Sequence, residues 1–143
     1  MAVTARRDVQ RPDVDGLEAW AVDALERAHQ RAVRASVGEA AAFLQELVGQ
    51  KLTAVVAGVG DSKAVGKWAR GERAPRGEAE RRLREAFQVA TLLALAESPA
   101  TARAWFVGMN PYLDDRAPAF VFAEDTEGGA RALRAARAFL ANG

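Results

Sequence analysis

Alanine makes up 33 of the 143 residues, and this excess limits the folds that the chain can adopt. Alanine is the best helix former, because its side chain loses no rotamer entropy in a helix. Apolar residues also recur at helical spacing, as in Leu17, Trp20, Ala21 and Ala24, and no stretch alternates in the manner of a strand. The sequence therefore predicts an all-α fold.

Capping signals mark several helix starts. Asp15 with Glu18, and Ser36 with Glu39, have the spacing of capping boxes, and Ser98 stands directly before a proline. Predicted helices cover residues 15–34, 36–48, 50–57, 62–70, 77–97 and 98–107. Residues 108–116 are predicted to form a loop, residues 117–123 a short helical turn, and a final helix follows Gly128-Gly129 and reaches about residue 141.

This pattern predicts four parts along the chain. Residues 1–14 are polar and aperiodic, which is typical of a flexible arm, and residues 15–35 form an N-terminal helix. Residues 36–97 form a helix-turn-helix domain with a long connecting helix, and residues 98–143 form a small helical C-terminal domain.

Residues 58–75, GVGDSKAVGKWARGERAP, have the punctuation of a helix-turn-helix. Gly58, Gly60 and Asp61 form the turn, and residues 62–70 form the second helix, which in this motif lies in the DNA major groove. The apolar face of that helix is predicted to pack on the preceding helix, Ala64, Val65 and Trp68 against Leu52, Val55 and Val56. A bundle in which the glycine turn only joins two packed helices is the alternative.

The opposite face of the second helix carries polar residues and Gly66, whose missing side chain would permit close approach to a duplex. Residues 51–84 contain nine Lys and Arg against four Asp and Glu, a charge of +5 in a chain whose net charge is +1. Such local basicity fits a nucleic-acid surface, and a solvated helix face is the alternative. The candidate DNA contacts are Gln50, Lys51, Ser62, Lys63, Lys67, Arg70, Arg73 and Arg76.

Residues 98–143 hold six of the ten aromatic residues, although their helices are too short for a large core of their own. These helices must dock on the rest of the chain or on a partner. Trp105 is predicted to be a core anchor. The final helix carries a stripe of Arg131, Arg134 and Arg137, which is either a solvated face or a comb for an acidic partner. Aromatic and apolar side chains near the loops are candidate interface residues: Tyr112, Leu113, Phe120 and Phe122.

The order of these motifs resembles the Xre/MbcA/ParS antitoxin family over residues 36–143. The helix-turn-helix is followed by AWF-x-G-x-NP-x-LDD-x-APA and the ending ARAFLANG, which look like the mycobacterial branch. The resemblance implies an antitoxin whose C-terminal domain binds and blocks a RES-domain toxin that destroys NAD, while its helix-turn-helix represses its own operon. It also implies that residues 139–143 lie at or near the toxin's pocket, which gives these candidate toxin contacts: Tyr112, Phe120, Phe122, Arg131, Arg134, Arg137, Phe139, Leu140, Asn142 and Gly143.

Catalytic and metal-binding signals are sparse. The chain has no cysteine, which excludes disulfides and thiolate chemistry, and its one histidine, His29, has no partner pattern. Asp114-Asp115 are adjacent residues that do not converge as a metal pair would, so we expect no metal, no cofactor and no enzymatic activity. The first residues contain no apolar run of a signal peptide, and the apolar stretch at residues 89–96 is too short to cross a bilayer, which predicts a cytoplasmic protein.

Two functions remain after these exclusions. The first is the antitoxin, whose partners are its cognate toxin and its operator DNA. A homodimer or a higher hetero-oligomer with the toxin is expected, because operator half-sites require symmetry. The second is a stand-alone helix-turn-helix regulator whose C-terminal region dimerises or senses a ligand.

Overall fold

The computed structural model describes residues 17–142, and the all-α prediction is confirmed for this part of the chain. No strand occurs there, and one isolated β-bridge joins Asn110 to Arg116. The predicted arm at residues 1–14 lies outside the described residues. The α-helices are α1 (Ala19–Arg34), α2 (Val37–Val48), α3 (Gln50–Ala57), α4 (Lys63–Ala69), α5 (Glu78–Ala96), α6 (Pro99–Val107) and α7 (Gly128–Asn142), with 3-10 turns at Pro111–Leu113 and Pro118–Phe120.

The long helix α5 lies at the centre of the molecule. It contacts α1, α2, α3, α6 and α7, so that every long helix buries part of its apolar face there. From the sequence, residues 87–95 could belong to the core or to a dimer interface. The structure places most of them in the core, and α1 is one of the helices that cover α5. The buried residues of α5 are Leu83, Ala86, Phe87, Val89, Ala90, Thr91, Leu92, Leu93 and Ala96.

The C-terminal helices share this core. Both α6 and α7 pack against α5, and the buried aromatic residues of the tail belong to one continuous hydrophobic cluster with those of α2 and α5. The Phe106 ring stacks on Phe122 at 6.0 Å and meets Trp105 edge-on at 5.3 Å. The tail therefore docks on the rest of the chain, while the domain boundary at residue 98 stays a prediction.

Two predicted helix starts are formed as the sequence indicates. The Ser36 hydroxyl accepts a hydrogen bond from the backbone N–H of Glu39 (3.0 Å), and the Glu39 carboxylate accepts one from the backbone N–H of Ser36 (2.9 Å). This is the complete capping box. The Ser98 hydroxyl accepts a hydrogen bond from the backbone N–H of Thr101 (3.0 Å) at the start of α6.

The start of α1 differs from its prediction. The sequence assigns the cap to Asp15, but the helix begins at Ala19 with Glu18 at the N-cap and with no side-chain capping bond. The Glu18 carboxylate instead accepts a hydrogen bond from the indole N–H of Trp20. Asp15 itself lies outside the described residues.

The last helix begins earlier than its sequence indicates. Gly128 and Gly129 do not precede α7 but are its first two residues, and both are buried. A Cβ on Gly128 would lie 2.1 Å from the carbonyl oxygen of Val121, and one on Gly129 would lie 2.2 Å from Oε1 of Glu85. The two glycines thus allow the start of α7 to rest directly on α5 and on the segment after the second 3-10 turn.

Replacing Gly128 by alanine tests this close approach. Alanine ordinarily stabilises a helix by about 1 kcal/mol relative to glycine. At this position the added methyl group collides with backbone, so we expect Gly128→Ala to lower the free energy of unfolding by about 1–3 kcal/mol. Urea denaturation followed by circular dichroism measures the change. Gly60 has open surroundings, so Gly60→Ala should stay within about 0.5 kcal/mol of the wild type; equal losses in both variants would refute the explanation.

Candidate functional site

A turn at residues 58–62 joins α3 to α4. Gly58 ends α3 in the left-handed conformation with φ of 78°. The Asp61 carboxylate accepts a hydrogen bond from the backbone N–H of Lys63 (3.0 Å) and so satisfies one of the free donors at the start of α4. Gly71, with φ of 75°, follows the end of α4 and adopts the left-handed conformation common just after a helix. The turn therefore fixes the start of α4, and Gly71 marks its end.

The packing of α4 is only partly predicted by the sequence. Its three apolar residues do point inward, but α4 packs on α2 as well as on α3. A Cβ on Gly38 would lie 3.0 Å from the backbone oxygen of Trp68, so this glycine lets α2 approach α4 closely. Leu52 and Val55, which are predicted to pack against α4, are only half-buried.

The cations predicted to contact DNA all lie at the surface. Lys63, Lys67 and Arg70 are exposed at spacings of four and three residues, which places them on one face of α4. Lys51 is exposed at the start of α3, and Ser62 is partly exposed before α4. We define the basic face as the exposed cations of α3, α4 and the loop that follows: Lys51, Lys63, Lys67, Arg70, Arg73 and Arg76.

One cation of the basic face is already paired. The guanidinium of Arg70 donates to the carboxylate of Glu72 through Nε (2.7 Å) and Nη2 (3.3 Å), and both side chains are exposed. The hydrogen bond from Arg70, together with the attraction of its charge, holds the pKa of the Glu72 carboxyl below its usual value. A phosphate that binds Arg70 must therefore compete with Glu72.

The prediction for Gly66 is wrong. This glycine lies on the same face as Lys63 and Arg70, but it is buried beneath neighbouring side chains and is closed to a duplex. A Cβ there would lie 2.7 Å from Nε2 of Gln50, which donates to Oε1 of Gln45 (3.2 Å). The missing side chain thus makes room for Gln50 between α3 and α4, and part of the hydrogen-bonding capacity of Gln50 is used within the protein.

The structure divides the candidate toxin contacts into exposed and buried residues. Tyr112 and Phe120 are each 56 % exposed, as an interface requires. Phe122 and Leu140 are core residues, so their assignment as contacts is wrong: Phe122 is 0 % exposed and stacks on Phe106, and Leu140 faces inward from α7. Leu113, a further candidate interface residue, is also a core residue, so that assignment is wrong as well. Gly143 lies outside the described residues.

The predicted arginine comb is not a row of three equivalent cations. Arg131 binds Glu124 (2.6 Å) and Asp125 (3.2 Å), so its charge is largely neutralised within the chain. A hydrogen bond from the backbone N–H of Glu127, followed by that from Arg131, lowers the pKa of the Asp125 carboxyl. Arg134 is exposed, whereas Arg137 is partly buried. Arg131 as a partner contact stays a prediction, and an acidic partner must compete there with Glu124 and Asp125.

Two exposed apolar residues between residues 98 and 142 are absent from the sequence prediction. Met109 is 80 % exposed and Val107 is 55 % exposed, and both lie close to Tyr112 in the chain. Val107 could have been found, because it lies three residues after the exposed Ala104 on one face of α6. Met109 stands in a loop, where helical periodicity gives no signal.

Met109 lines a cleft of about 350 Å³ between α6, the loop after it and α7, and Val107 lies next to it in the chain. Tyr112, Phe139 and Asn142 line it, and Nδ2 of Asn142 donates a hydrogen bond to the Tyr112 hydroxyl (3.0 Å). Together with the exposed Val107, four of the lining residues form an apolar surface at this end of the molecule. We define the C-terminal surface as Val107, Met109, Tyr112, Phe139 and Asn142.

Removing Arg70 tests the ion pair on the basic face. In Arg70→Gln the pKa of Glu72 should rise toward its ordinary value, which carboxyl titration by NMR would show; the charge of Lys67 continues to lower it slightly. Because the folded pKa is depressed, the pair stabilises the protein above the carboxyl's ordinary pKa of about 4.3. That contribution disappears as the pH falls through the lower folded value. Arg76→Gln removes a cation that does not hold Glu72, and a pKa change of equal size in that variant would argue against the pair.

Comparisons with known proteins identify no relative of this chain. No protein-family model matches the sequence, and neither a curated protein nor a solved structure is significantly similar to it. Between residues 17 and 142, no helix combines the length and the apolar character that a bilayer-spanning segment needs. In the same range, no three His, Asp or Glu side chains lie close enough together to hold a metal ion. The function is therefore argued from the two surfaces and from the motif resemblance.

Proposed function

We propose that this protein is a cytoplasmic antitoxin that binds and blocks a RES-domain NAD-degrading toxin and represses its own operon. The observation that carries the proposal is the presence of two different exposed surfaces on one continuous core. One is the basic face on α3, α4 and their loop, and the other is the apolar C-terminal surface. Operator recognition requires a surface of the first kind, and protein recognition a surface of the second kind.

The DNA-binding role is supported by the position of the cations. Lys63 and Lys67 lie on the exposed side of a short helix that follows a glycine turn, which is where a helix-turn-helix places its groove-facing residues. Arg73 and Arg76 are exposed in the loop beyond that helix and could neutralise phosphates. Binding to a symmetric operator requires a dimer, either of this chain alone or within a complex with the toxin.

The toxin-binding role is supported by the aromatic and methionine side chains of the C-terminal surface. Tyrosine is frequent at binding hot spots, and methionine adapts its shape to a partner. Tyr112 and Asn142 are linked by a hydrogen bond, so the end of α7 and the loop present one connected surface. This surface includes Phe139 and Asn142, which belong to the segment that the family resemblance places at the toxin's pocket.

A stand-alone transcription regulator is the second candidate. The cleft of about 350 Å³ favours it, because that volume lies at the lower end of small-ligand sites. Such a regulator would bind its operator tightly without a partner protein and would respond to a small molecule. The antitoxin would instead co-purify with an enzyme whose NAD-consuming activity appears when this chain is removed.

A charge substitution on α4 tests the DNA-binding role. Lys67→Gln should weaken binding to the promoter upstream of its own gene, because one phosphate or base contact is lost. The slope of log K against log salt concentration should decrease by about 1. Fluorescence anisotropy at several salt concentrations measures both changes. Arg134→Gln removes an exposed cation from α7 and serves as the control; a loss of affinity equal to that of Lys67→Gln would contradict the proposed face.

A short truncation tests the toxin-binding role. Removal of residues 141–143 should weaken inhibition of the cognate RES-domain toxin by about tenfold, since Asn142 and the chain end contribute contacts. Truncation from Phe139 is less informative, because it also removes the buried Leu140. NAD consumption, titrated with purified chain, measures the inhibition.

Lys67→Gln is the matched control for the truncation, and it should inhibit the toxin as strongly as the wild type. Undiminished inhibition by the truncated chain would show that its end makes no contribution to toxin binding. Circular dichroism and urea denaturation establish that both variants remain folded.

A further inference from the structure

The cleft between α6 and α7 has features of a peptide-binding site. Ala104 contributes one wall from the exposed side of α6, and Phe139 contributes another from α7. Met109 and Tyr112 extend its apolar surface onto the loop that follows α6. The cleft has room for a large apolar side chain, and the exposed rim would cover the backbone on either side of it.

The Trp105 indole contributes apolar surface to the cleft. Trp105 lines the cleft and is only 7 % exposed, and its indole Nε1 has no hydrogen-bond partner among residues 17–142. Because the Nε1 atom is itself buried, a group bound in the cleft cannot reach this donor, and the ring offers the ligand only apolar contact.

The loop beside the cleft carries exposed negative charge. Asp114 and Asp115 follow Tyr112 directly, and both have left-handed backbone conformations. The backbone N–H of Asp115 donates to the carbonyl of Asn110 (2.8 Å), which ties these aspartates to a residue that lines the cleft. The Asp114 side chain is 93 % exposed. Its nearest cation, Arg116, lies 3.8 Å away and is also bound by Glu124.

We propose that the cleft binds an extended segment of a partner protein that presents one large apolar side chain beside a lysine or arginine. The apolar side chain enters between Ala104 and Phe139, and the cation approaches Asp114 and Asp115. This inference rests on the proposed function insofar as the partner is the toxin, and it adds the chemistry of the segment that is recognised.

Selection from a library of random linear peptides, with the full-length chain as bait, tests this inference. The enriched peptides should share a large aliphatic or aromatic residue next to Lys or Arg. Ala104→Phe fills the cleft from an exposed position without disturbing the core, and it should reduce the affinity of a synthesised peptide by about tenfold or more. Ala100→Phe is the matched control, because Ala100 is exposed on the same helix but does not line the cleft; it should leave the affinity unchanged.

Two further measurements separate the parts of the site. Asp114→Asn with Asp115→Asn should weaken binding of a basic peptide about two- to fivefold, as expected for exposed ion pairs. In a ¹⁵N-labelled sample the indole N–H resonance of Trp105, assigned with Trp105→Phe, should shift when the peptide binds, because the Trp105 ring lines the cleft. Selection without a shared sequence, or peptide binding that survives Ala104→Phe, would overturn the inference.

The toxin assay distinguishes this inference from the proposed function. If peptides bind in the cleft but no RES-domain toxin is inhibited, the inference stands and the proposed function fails. If the Ala104→Phe chain inhibits the toxin as strongly as the wild type, the cleft is not the contact and the inference fails, while the proposed function stands.

Discussion

The burial of α5 against five other helices is the interaction on which both surfaces depend. Nine of its nineteen residues are buried, and each square ångström of apolar area removed from water contributes about 25 cal/mol. The basic face is carried by α3 and α4, and α3 rests on α5 directly while α4 is held against α2 and α3. The walls of the cleft are formed by α6 and α7, which rest on the same helix. The two surfaces are therefore placed relative to each other by side-chain packing.

Helix boundaries that depend only on residues close together in the sequence could be predicted. The Ser36–Glu39 box and the Ser98 cap need only local geometry, and both are formed. The start of α7 could not be predicted, because glycine usually ends helices. Gly128 and Gly129 stand inside the helix because Val121 and Glu85 leave no room for a side chain there. Glu85 is far away in the sequence and Val121 belongs to an irregular segment, so local sequence rules cannot predict either contact.

The candidate sites show the same division. Helical spacing is sufficient to place Lys63, Lys67 and Arg70 on the exposed side of α4. It cannot show that Glu72 pairs with Arg70, or that Arg131 pairs with Glu124 across a loop. An aromatic residue in an irregular segment is equally ambiguous: Phe120 is exposed while Phe122, two residues later, is fully buried. The cleft is formed by α6, the loop after it and α7, so no local sequence pattern predicts it.

The alanine content that predicts the fold class also affects its thermodynamics. Between residues 17 and 142, sixteen of the thirty-three buried hydrophobic residues are alanines. The heat-capacity change of unfolding grows with the apolar area that becomes hydrated, at about 0.45 cal/mol/K for each Å². A methyl side chain supplies little of that area, so a core built from alanine gives a small heat-capacity change. A small heat-capacity change flattens the dependence of folding free energy on temperature, so this core should lose stability more gradually on heating or cooling than a core of larger side chains.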